Sequence, residues 1–272
     1  GLTLDTFHIF SRRTDLGAIL SIPGDRIFLV QVADAPNLSM DHLSWSRHYR
    51  CFPGQGELPL DSFMKCLGQT GYDGPLSLEI FNDQFRSGSV MATARDGYRS
   101  LVYLGSRAED QARSGLPEAV APAGVEFIEF AVSPAENTEL SALMRALGFA
   151  HRGRHPRKAV DHYTQGGINL VVNREPESHA QRFHAGHGAS VCAIGLRIEN
   201  DADAARRCEL LNYAVSPPAD HGMKSVTTTG GSLLYLAKAS DMAGVWSREF
   251  KPTTEPAPPA YLKSVDHVAF AM

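Results

Sequence analysis

Residues 27–34 read Ile-Phe-Leu-Val-Gln-Val-Ala-Asp, an almost continuously apolar run that ends on a polar residue. Such a run is typical of a strand buried on both faces of a parallel sheet. Similar segments at Leu2–Phe10 and Pro75–Phe81 predict two more strands. Helices are predicted at Thr14–Ile22, about Leu60–Thr70 and Ser89–Ser106, and a long loop with Pro and Gly at Ala35–Leu60. This alternation of strands and helices predicts an α/β fold.

Three βα units are too few to close a barrel of eight strands. We therefore expect residues 1–109 to be the C-terminal part of a (β/α)8 TIM barrel. Residues 110–124 are rich in Ser, Gly, Pro and Ala without periodicity, which indicates a linker between domains.

The second half of the chain changes to an α+β pattern with two βαβββ modules, which we place at residues 125–250. Their period is about 65 residues and is visible in element order rather than in identity. The first module has strands at Val125–Val132, Phe149–Arg154, Ala159–Thr164 and Ile168–Asn173, and a helix at Ala135–Leu147. The second has strands at Ser190–Ile198, near Tyr213–Ser216, Lys224–Thr229 and Leu233–Ala237, and a helix at Asp201–Leu211.

Residues 251–272 contain several prolines and then an apolar segment. We interpret them as a stiff linker followed by the first strand of another module, at Leu262–Ala271. The chain also begins inside an apolar segment, so we expect an internal stretch of a longer protein.

Composition excludes some classes of function. The 272 residues are 43% hydrophobic and 21% charged, and the formal net charge is -4. These values are those of a globular protein, and no apolar run reaches the roughly 20 residues of a membrane helix. Lys and Arg are scattered, which argues against nucleic-acid binding. The four cysteines show no CxxC pairing, which favours a reducing cytoplasm. We further expect a homo-oligomer that acts on a small molecule, without membrane or nucleic-acid partners.

Polar residues lie at or near the carboxyl end of each predicted N-terminal strand: Asp5 with His8, Gln31 with Asp34, and Glu79 with Asn82. Active sites of α/β barrels are built at this end of the strands, where side chains from several strands can surround one ion. Oxygen ligands favour a hard or borderline cation such as Mg²⁺, Mn²⁺ or Co²⁺. The sequence therefore indicates a site for a divalent metal.

Each of these residues also has a purely structural interpretation. Asp5 can cap the first helix or pair with an arginine, Gln31 can be a satisfied core amide, and Glu79 can form a salt bridge at a sheet edge. Taken singly the structural interpretation is favoured, but the joint occurrence of the three at strand ends favours a site.

Four segments carry a resemblance to a known family: residues 4–8, 30–36, 47–57 and 76–82. They resemble motifs of the sugar-phosphate isomerase/epimerase-like barrels and, within that superfamily, of the bacterial 3-dehydroshikimate dehydratases. The resemblance implies a divalent metal held by Asp5, Gln31 and Glu79. It also implies a fourth ligand, a glutamate on an earlier strand, which we expect to lie before residue 1. The implied reaction is the dehydration of 3-dehydroshikimate to protocatechuate, which makes the protein a hydro-lyase.

The chemistry of such a dehydration needs a group that removes a proton next to a ketone, and a positive charge that stabilises the enolate. His8 is the candidate general acid/base because an imidazole titrates near neutral pH. A hydrogen-bonded core histidine is the alternative. Arg47 and Arg50, with Ser46 as a neutral donor, are candidates for binding the substrate carboxylate, since a guanidinium group matches a carboxylate. Either arginine could instead be a surface residue, and Arg50 is favoured.

The paired modules resemble the vicinal-oxygen-chelate superfamily, and more narrowly the 4-hydroxyphenylpyruvate dioxygenases, at residues 127–131, 147–149, 165–173 and 187–188. In that family two histidines and a carboxylate of the C-terminal modules bind iron. Residues 264–268 resemble the segment that carries the first ligand, so His267 is a candidate iron ligand. The other two ligands are expected beyond Met272.

Three other functions stay open. The chain could belong to an iron dioxygenase acting on a 2-oxo acid, or its barrel could be a sugar isomerase or epimerase, although residues 47–57 argue against the latter. The modules could also be a non-enzymatic assembly element. Pro53-Gly54-Gln55-Gly56 lacks the Lys-Ser/Thr of a phosphate-binding loop, so nucleotide binding is not indicated.

Overall fold

The computed structural model describes residues 1–107, 115–218, 221–256 and 258–270. The chain divides into two compact units, Gly1–Leu116 and Pro117–Met272, and each is described by itself. Residues 110–114 of the predicted linker lie outside the described residues, and residues 115–123 form neither helix nor strand. No helix in the described ranges has the length and apolar character needed to cross a membrane.

The first unit is built on a three-stranded parallel sheet of order β1-β2-β3. The strands are β1 (Leu2–Asp5), β2 (Ile27–Val32) and β3 (Leu76–Leu78). Its helices are α1 (Thr6–Ser11), α2 (His42–His48), α3 (Leu60–Gln69), α4 (Asp83–Ser87) and α5 (Val90–Ser106). The three βα units and the parallel sheet confirm the predicted part of a barrel.

The core of this unit forms where β2 packs against α3 and α5. The buried side chains of α3 are Leu60, Phe63, Met64 and Leu67, a helical spacing that places them on one face. They cluster with Val30 and Val32 of β2, which are fully buried. Burial of this apolar surface holds the central strand in place, and with it the residues at its carboxyl end.

Three predictions for the first unit were wrong in part. The predicted strand Leu2–Phe10 ends at Asp5, because the Asp5 carboxylate accepts the His8 N–H and starts α1. The predicted helix Thr14–Ile22 is a 3₁₀ helix, Leu16–Ser21, capped in the same way by Asp15. The predicted loop Ala35–Leu60 contains α2, whose cap is Asp41.

The second unit contains a nine-stranded sheet of order β12-β5-β6-β7-β4-β8-β11-β10-β9. Its strands are β4 (Gly124–Ala131), β5 (Ala150–Arg154), β6 (Val160–Gln165), β7 (Ile168–Asn173), β8 (Ser190–Ile198), β9 (Val215–Ser216), β10 (Ser225–Thr227), β11 (Leu233–Lys238) and β12 (Lys251–Pro252). Its helices are α6 (Pro134–Ala146), α7 (His179–His187), α8 (Asp201–Leu210) and α9 (Ala239–Glu249).

The strand order confirms two βαβββ modules. In each module the last strand pairs parallel with the first, β7 with β4 and β11 with β8. The two first strands, β4 and β8, pair antiparallel at the centre and join the modules into one sheet. The sequence patterns did not predict α7 or α9.

The predicted strand Leu262–Ala271 does not form in its described part, residues 262–270, and Ala271 itself lies outside the described residues. The segment is held by a few individual hydrogen bonds, and not by the regular series of hydrogen bonds between paired strands. The Gln165 side chain accepts the N–H groups of Tyr261 and Leu262, and the Gly167 N–H donates to the Lys263 carbonyl. These contacts satisfy the backbone locally, without a neighbouring strand.

Candidate functional site

The three predicted strand-end residues lie side by side at one edge of the first sheet. Asp5 ends β1 and is in register with Gln31 of β2. Glu79 directly follows β3, and its N–H donates to the Val32 carbonyl at 3.1 Å. Because the strands are parallel, their carboxyl ends meet at the same edge. The Gln31 amide donates from Nε2 to Glu79 Oε1 at 2.9 Å.

The guanidinium of Arg50 joins the two carboxylates. Its Nη1 donates to Asp5 Oδ2 at 3.1 Å, to Glu79 Oε2 at 2.7 Å and to the Glu79 carbonyl at 3.3 Å. Arg50 is only 1% exposed, whereas the side chains of Asp5 and Glu79 are 12% and 30% exposed. A buried cation therefore faces two partly accessible anions.

The rest of Arg50 is held by α2 and by aromatic rings. Its Nε donates to the Ser46 carbonyl at 3.1 Å and its Nη2 to Ser46 Oγ at 2.9 Å. Its guanidinium carbon lies 4.7 Å from the ring centre of Phe7 and 5.3 Å from that of Phe81. Guanidinium groups favour such ring faces. The structure thus brings Ser46 and Arg50 together with Asp5 and Glu79.

His8 lies in the first turn of α1, and its N–H donates to Asp5 Oδ1 at 3.1 Å. Its Nε2 is 3.3 Å from Arg50 Nη2 and 3.7 Å from Asp5 Oδ2. Since a guanidinium only donates, Nε2 is the acceptor in this contact. Nδ1 is buried and has no hydrogen-bonding partner among the described residues. His8 therefore borders both the carboxylates and the guanidinium.

The His8 ring is supported on its far side by His42. The two rings stack with centroids 5.7 Å apart, and His42 Nε2 lies 2.8 Å from Ser11 Oγ. This contact joins α1 to α2, which carry His8 and Ser46. The sequence interpretation had not singled out His42.

Arg47, the second predicted substrate-binding arginine, lies at the outside of the cluster. Its side chain is exposed, and its guanidinium carbon is 5.9 Å from the ring centre of Phe81. The structure therefore places Arg47 next to Phe81 and leaves the contacts with Asp5 and Glu79 to Arg50.

The sequence interpretation grouped Asp34 with the residues able to bind a metal, but in the structure its carboxylate binds backbone N–H groups instead. Its buried carboxylate accepts the N–H groups of Ala35, Gly54, Gly56 and Leu58, at 2.8 to 3.0 Å. Its backbone also exchanges two hydrogen bonds with Cys51. Burial, and secondarily Asp34, raises the pKa of the Cys51 thiol to about 12. Asp34 therefore holds the loop that follows Arg50.

The sequence interpretation also missed Phe7 and Phe81, which cover the Arg50 guanidinium. A signal for Phe81 was present, because side chains alternate along an extended segment and place residues 79 and 81 on the same side. Phe7 could not be found in this way, since it lies in a helix where a strand was predicted.

Within the described ranges, no three His, Cys, Asp or Glu side chains form a group that could hold a metal ion. Asp5 and Glu79 nevertheless supply two carboxylates that accept from the same Arg50 nitrogen, with the Gln31 amide beside Glu79. Oxygen ligands of this kind fit a hard divalent cation. Asp5, Gln31 and Glu79 therefore fit as part of the ligand set of such a cation, provided that Arg50 Nη1 moves away from the two carboxylates.

His267, the candidate iron ligand, lies in the irregular segment after β12. Its side chain is 81% exposed, and its Nδ1 is 2.8 Å from Asp266 Oδ2. No metal-binding group of His, Cys, Asp or Glu includes it in the part of the chain that the structure describes.

Comparisons with known proteins match two parts of the chain to two different families. Residues 1–104 match the xylose isomerase-like TIM-barrel family, and residues 117–250 match the N-terminal region of hydroxyphenylpyruvate dioxygenase. Over its whole length the chain is 41% identical to a 3-dehydroshikimate dehydratase of Pseudomonas putida and 40% identical to one of Pseudomonas aeruginosa.

A solved structure, that of a xylose isomerase-like TIM barrel/4-hydroxyphenylpyruvate dioxygenase fusion protein, superposes on 98% of the chain with a TM-score of 0.87 and 41% identity. The chain spans 45% of the length of each of these three proteins.

Proposed function

Since residues 1–104 belong to the xylose isomerase-like TIM-barrel family and residues 117–250 to the family of the hydroxyphenylpyruvate dioxygenase N-terminal region, we propose that the chain supplies part of the active site of a metal-dependent 3-dehydroshikimate dehydratase. The convergence of Asp5, Gln31 and Glu79 at the carboxyl ends of three parallel strands carries the proposal. The two relatives named 3-dehydroshikimate dehydratase support the substrate. Because they are about twice as long as the chain, the activity is proposed for a protein that contains it.

Asp5, Gln31 and Glu79 would hold a divalent cation such as Mg²⁺, Mn²⁺ or Co²⁺. When bound, a cation of this kind supplies a Lewis acid that stabilises negative charge on a carbonyl oxygen. The two carboxylates set the charge of the site, and the Gln31 amide orients Glu79 through their hydrogen bond.

Arg50 would bind the carboxylate of the substrate. Its Nη1 now donates to the same oxygens that a divalent cation would take. If a cation held those oxygens, Nη1 would be free to donate to another anion, while Nε and Nη2 would keep their hydrogen bonds to Ser46. Charge-assisted hydrogen bonds to a carboxylate are among the stronger ones available. Arg47, at the exposed edge beside Phe81, would add positive charge at the entrance.

His8 would move the proton. Its Nε2 accepts in the present arrangement, so it can take a proton from the carbon next to the ketone. The same nitrogen can then return that proton to the departing hydroxyl, which leaves as water. The backbone hydrogen bond to Asp5 and the stack on His42 keep the ring in place.

The experiment is an assay of protocatechuate formation by the full-length protein before and after treatment with EDTA. We expect EDTA to abolish the activity and Mn²⁺, Mg²⁺ or Co²⁺ to restore it. Glu79→Gln should lower kcat/KM by about 100-fold or more, because the site loses one negative charge. Asp61→Asn is the matched control, since Asp61 pairs with Arg107 on the surface, and it should leave the rate unchanged. A dehydratase that is insensitive to EDTA would contradict the proposal.

We further propose that the protein is cytoplasmic and homo-oligomeric. The four free cysteines, Cys51, Cys66, Cys192 and Cys208, support a reducing compartment. Sedimentation equilibrium of the full-length protein would measure its state of assembly.

A further inference from the structure

The second unit contains a cavity of about 360 Å³. Its floor consists of side chains from β4, β7 and β11 on one face of the nine-stranded sheet, and α9 covers it. Binding sites for small molecules usually have volumes of about 300 Å³ or more. The cavity is therefore large enough for a single six-membered ring with its substituents.

One wall of the cavity is aromatic and rigid. The rings of Phe127 and Trp246 meet edge to face at 5.8 Å, and Phe127 lies 5.6 Å from Tyr235. Trp246 stacks on His162 at 4.3 Å and donates its indole N–H to Glu126 at 3.1 Å. With its polar end bound, Trp246 presents a fixed flat surface. Such a wall favours a flat, apolar ring.

The floor of the cavity contains the carboxyl group of Glu129, which accepts one side-chain hydrogen bond among the described residues. Glu129 Oε1 accepts from Asn173 Nδ2 at 2.7 Å, whereas Oε2 has no hydrogen-bonding partner among the described residues. Burial raises the pKa of the Glu129 carboxyl, which favours its uncharged form. An uncharged carboxyl can donate one hydrogen bond and accept others. It therefore matches a hydroxyl group.

Two further polar groups line the same space. The Tyr235 hydroxyl, whose pKa burial and the nearby Glu129 raise, has no hydrogen-bonding partner among the described residues. Nε2 of His179 is buried and is also without a partner there. A buried polar atom without a partner, such as His179 Nε2, is uncommon in folded proteins because it costs free energy. Glu129 and Tyr235 are only partly buried, so their unpartnered oxygens are accessible to a ligand that enters the cavity.

The charges around the cavity select against an anion. Glu129, Glu175, Glu177 and Glu249 supply four carboxyl groups to the lining, against one lysine, Lys158. Glu249 already has a partner in the protein itself, because His155 Nε2 lies 3.3 Å from its Oε2. An anionic ligand would be repelled at the rim and would meet a buried carboxyl at the floor.

We propose that this cavity binds a small uncharged hydroxyaromatic molecule, with its ring against Phe127 and Trp246 and its hydroxyl groups hydrogen-bonded to Glu129 and Tyr235. The site lies within the second unit and is independent of the proposed dehydratase activity. Neither Asp5 nor any other residue of the first unit takes part in it.

The test uses catechol as the probe and isothermal titration calorimetry as the measurement. The full-length protein is first treated with EDTA, so that catechol cannot bind through a metal. We expect saturable binding of one catechol, and binding of benzoate that is weaker by about tenfold or more because benzoate is an anion. Absence of catechol binding, or benzoate binding as tight as that of catechol, would overturn the proposal.

Variants locate the site. Glu129→Ala should weaken catechol binding by about tenfold and Tyr235→Phe by about threefold, because each removes one hydrogen bond to the ligand. Glu129→Gln should bind within about threefold of the wild type, since an amide keeps a donor and an acceptor. The matched control is Glu139→Gln, on the exposed surface of α6, which should bind like the wild type.

Circular dichroism establishes that each variant is folded before titration. If Glu129→Ala is not folded, Tyr235→Phe decides, because it removes a single oxygen atom. Catechol affinity equal to that of the wild type in a folded Glu129→Ala or in Tyr235→Phe would show that catechol binds elsewhere, and the proposal would fail. Since the measurement is binding to metal-free protein, this result is separate from the outcome of the dehydratase assay.

Discussion

At the scale of single residues, Arg50 connects the parts of the first site. It contacts side chains that are 29, 42 and 45 positions away in the sequence, namely Glu79, His8 and Asp5. Burying a guanidinium is costly unless its donors are paired. The pairing with Asp5 and Glu79 offsets that cost, and Arg50 in turn offsets the repulsion between the two carboxylates.

Arg50→Met should destabilise the protein by about 2 kcal/mol. The effect is smaller than for a fully buried pair because the Glu79 side chain is 30% exposed and water can screen it. Addition of Mn²⁺ should stabilise this variant more than the wild type, since no guanidinium then competes for the carboxylates. Urea denaturation with and without Mn²⁺ measures both effects. Arg47→Met is the control, because Arg47 is exposed and its loss should cost less than about 0.5 kcal/mol. Equal stabilisation by Mn²⁺ in wild type and Arg50→Met would contradict the prediction.

At the scale of elements, a single carboxylate organises the connection between Arg50 and α3. Asp34 lies two residues after the end of β2. Its carboxylate accepts the N–H of Ala35 and, in the segment between Arg50 and α3, the N–H groups of Gly54, Gly56 and Leu58. Gly54 lies in this segment with a φ of 87°, a conformation that glycine adopts without strain. The loop therefore has a fixed shape without any helix or strand of its own.

Asp34→Ala should destabilise the first unit by about 3 kcal/mol, because one buried and three partly buried hydrogen bonds from backbone N–H groups lose their acceptor. The amides of Gly54, Gly56 and Leu58 should exchange with deuterium faster than in the wild type. Hydrogen-exchange mass spectrometry measures the second effect and denaturation the first. Asp15→Ala is a control in which one exposed cap is lost, and it should cost about 1 kcal/mol. Unchanged exchange of these amides in Asp34→Ala would show that the loop holds its shape by other contacts.

At the scale of the whole molecule, each unit has its own sheet and core, and the second contains a buried titratable group within its sheet. His162 of β6 is 6% exposed, stacks on Trp246, and contacts Asn169 Oδ1 at 3.0 Å. Burial lowers the pKa of His162 to about 4. In the unfolded chain the pKa of histidine is about 6.5. The folded state therefore binds this proton less readily than the unfolded state does.

The stability of the second unit should fall between pH 6.5 and pH 4. Above pH 6.5 His162 is neutral in both states, so its titration does not change the free energy of unfolding. As the pH falls toward 4, the unfolded state binds a proton that the folded state does not, which lowers the free energy of unfolding by about 3 kcal/mol in total. His162→Phe keeps the stack on Trp246 and should lose this part of the pH dependence. Hydrogen exchange of β6 and β7 amides between pH 7 and pH 4.5 reports the free energy of opening. His187→Gln, on an exposed part of α7, is the control and should retain the wild-type slope. The same slope in His162→Phe would exclude His162 as the cause.

Much of this fold follows from local patterns. The apolar run at residues 27–34 predicted the central strand β2, in which Val30 and Val32 are fully buried, although burial on both faces is incomplete because Phe28 is exposed. The helical spacing of Leu60, Phe63 and Leu67 predicted α3. The order of elements in the second half predicted the paired modules. The side chains at the strand ends were predicted as a group because parallel strands end together, which requires no knowledge of packing.

Other features depended on contacts between distant residues. Whether residues 6–11 continue a strand or begin a helix was decided by the Asp5 cap, since Leu2–Phe10 is compatible with either. The position of Arg50, the aromatic cover of Phe7 and Phe81, and the role of Asp34 in the loop all arise from pairs far apart in the sequence. The cavity beside Glu129 likewise exists only where α9 packs over the sheet. The sequence by itself determined most of the strands, their order and which residues stand at the ends of β1, β2 and β3, because periodicity and local propensity act over a few residues. The tertiary structure alone decided what those residues touch, because burial and charge pairing act across the fold.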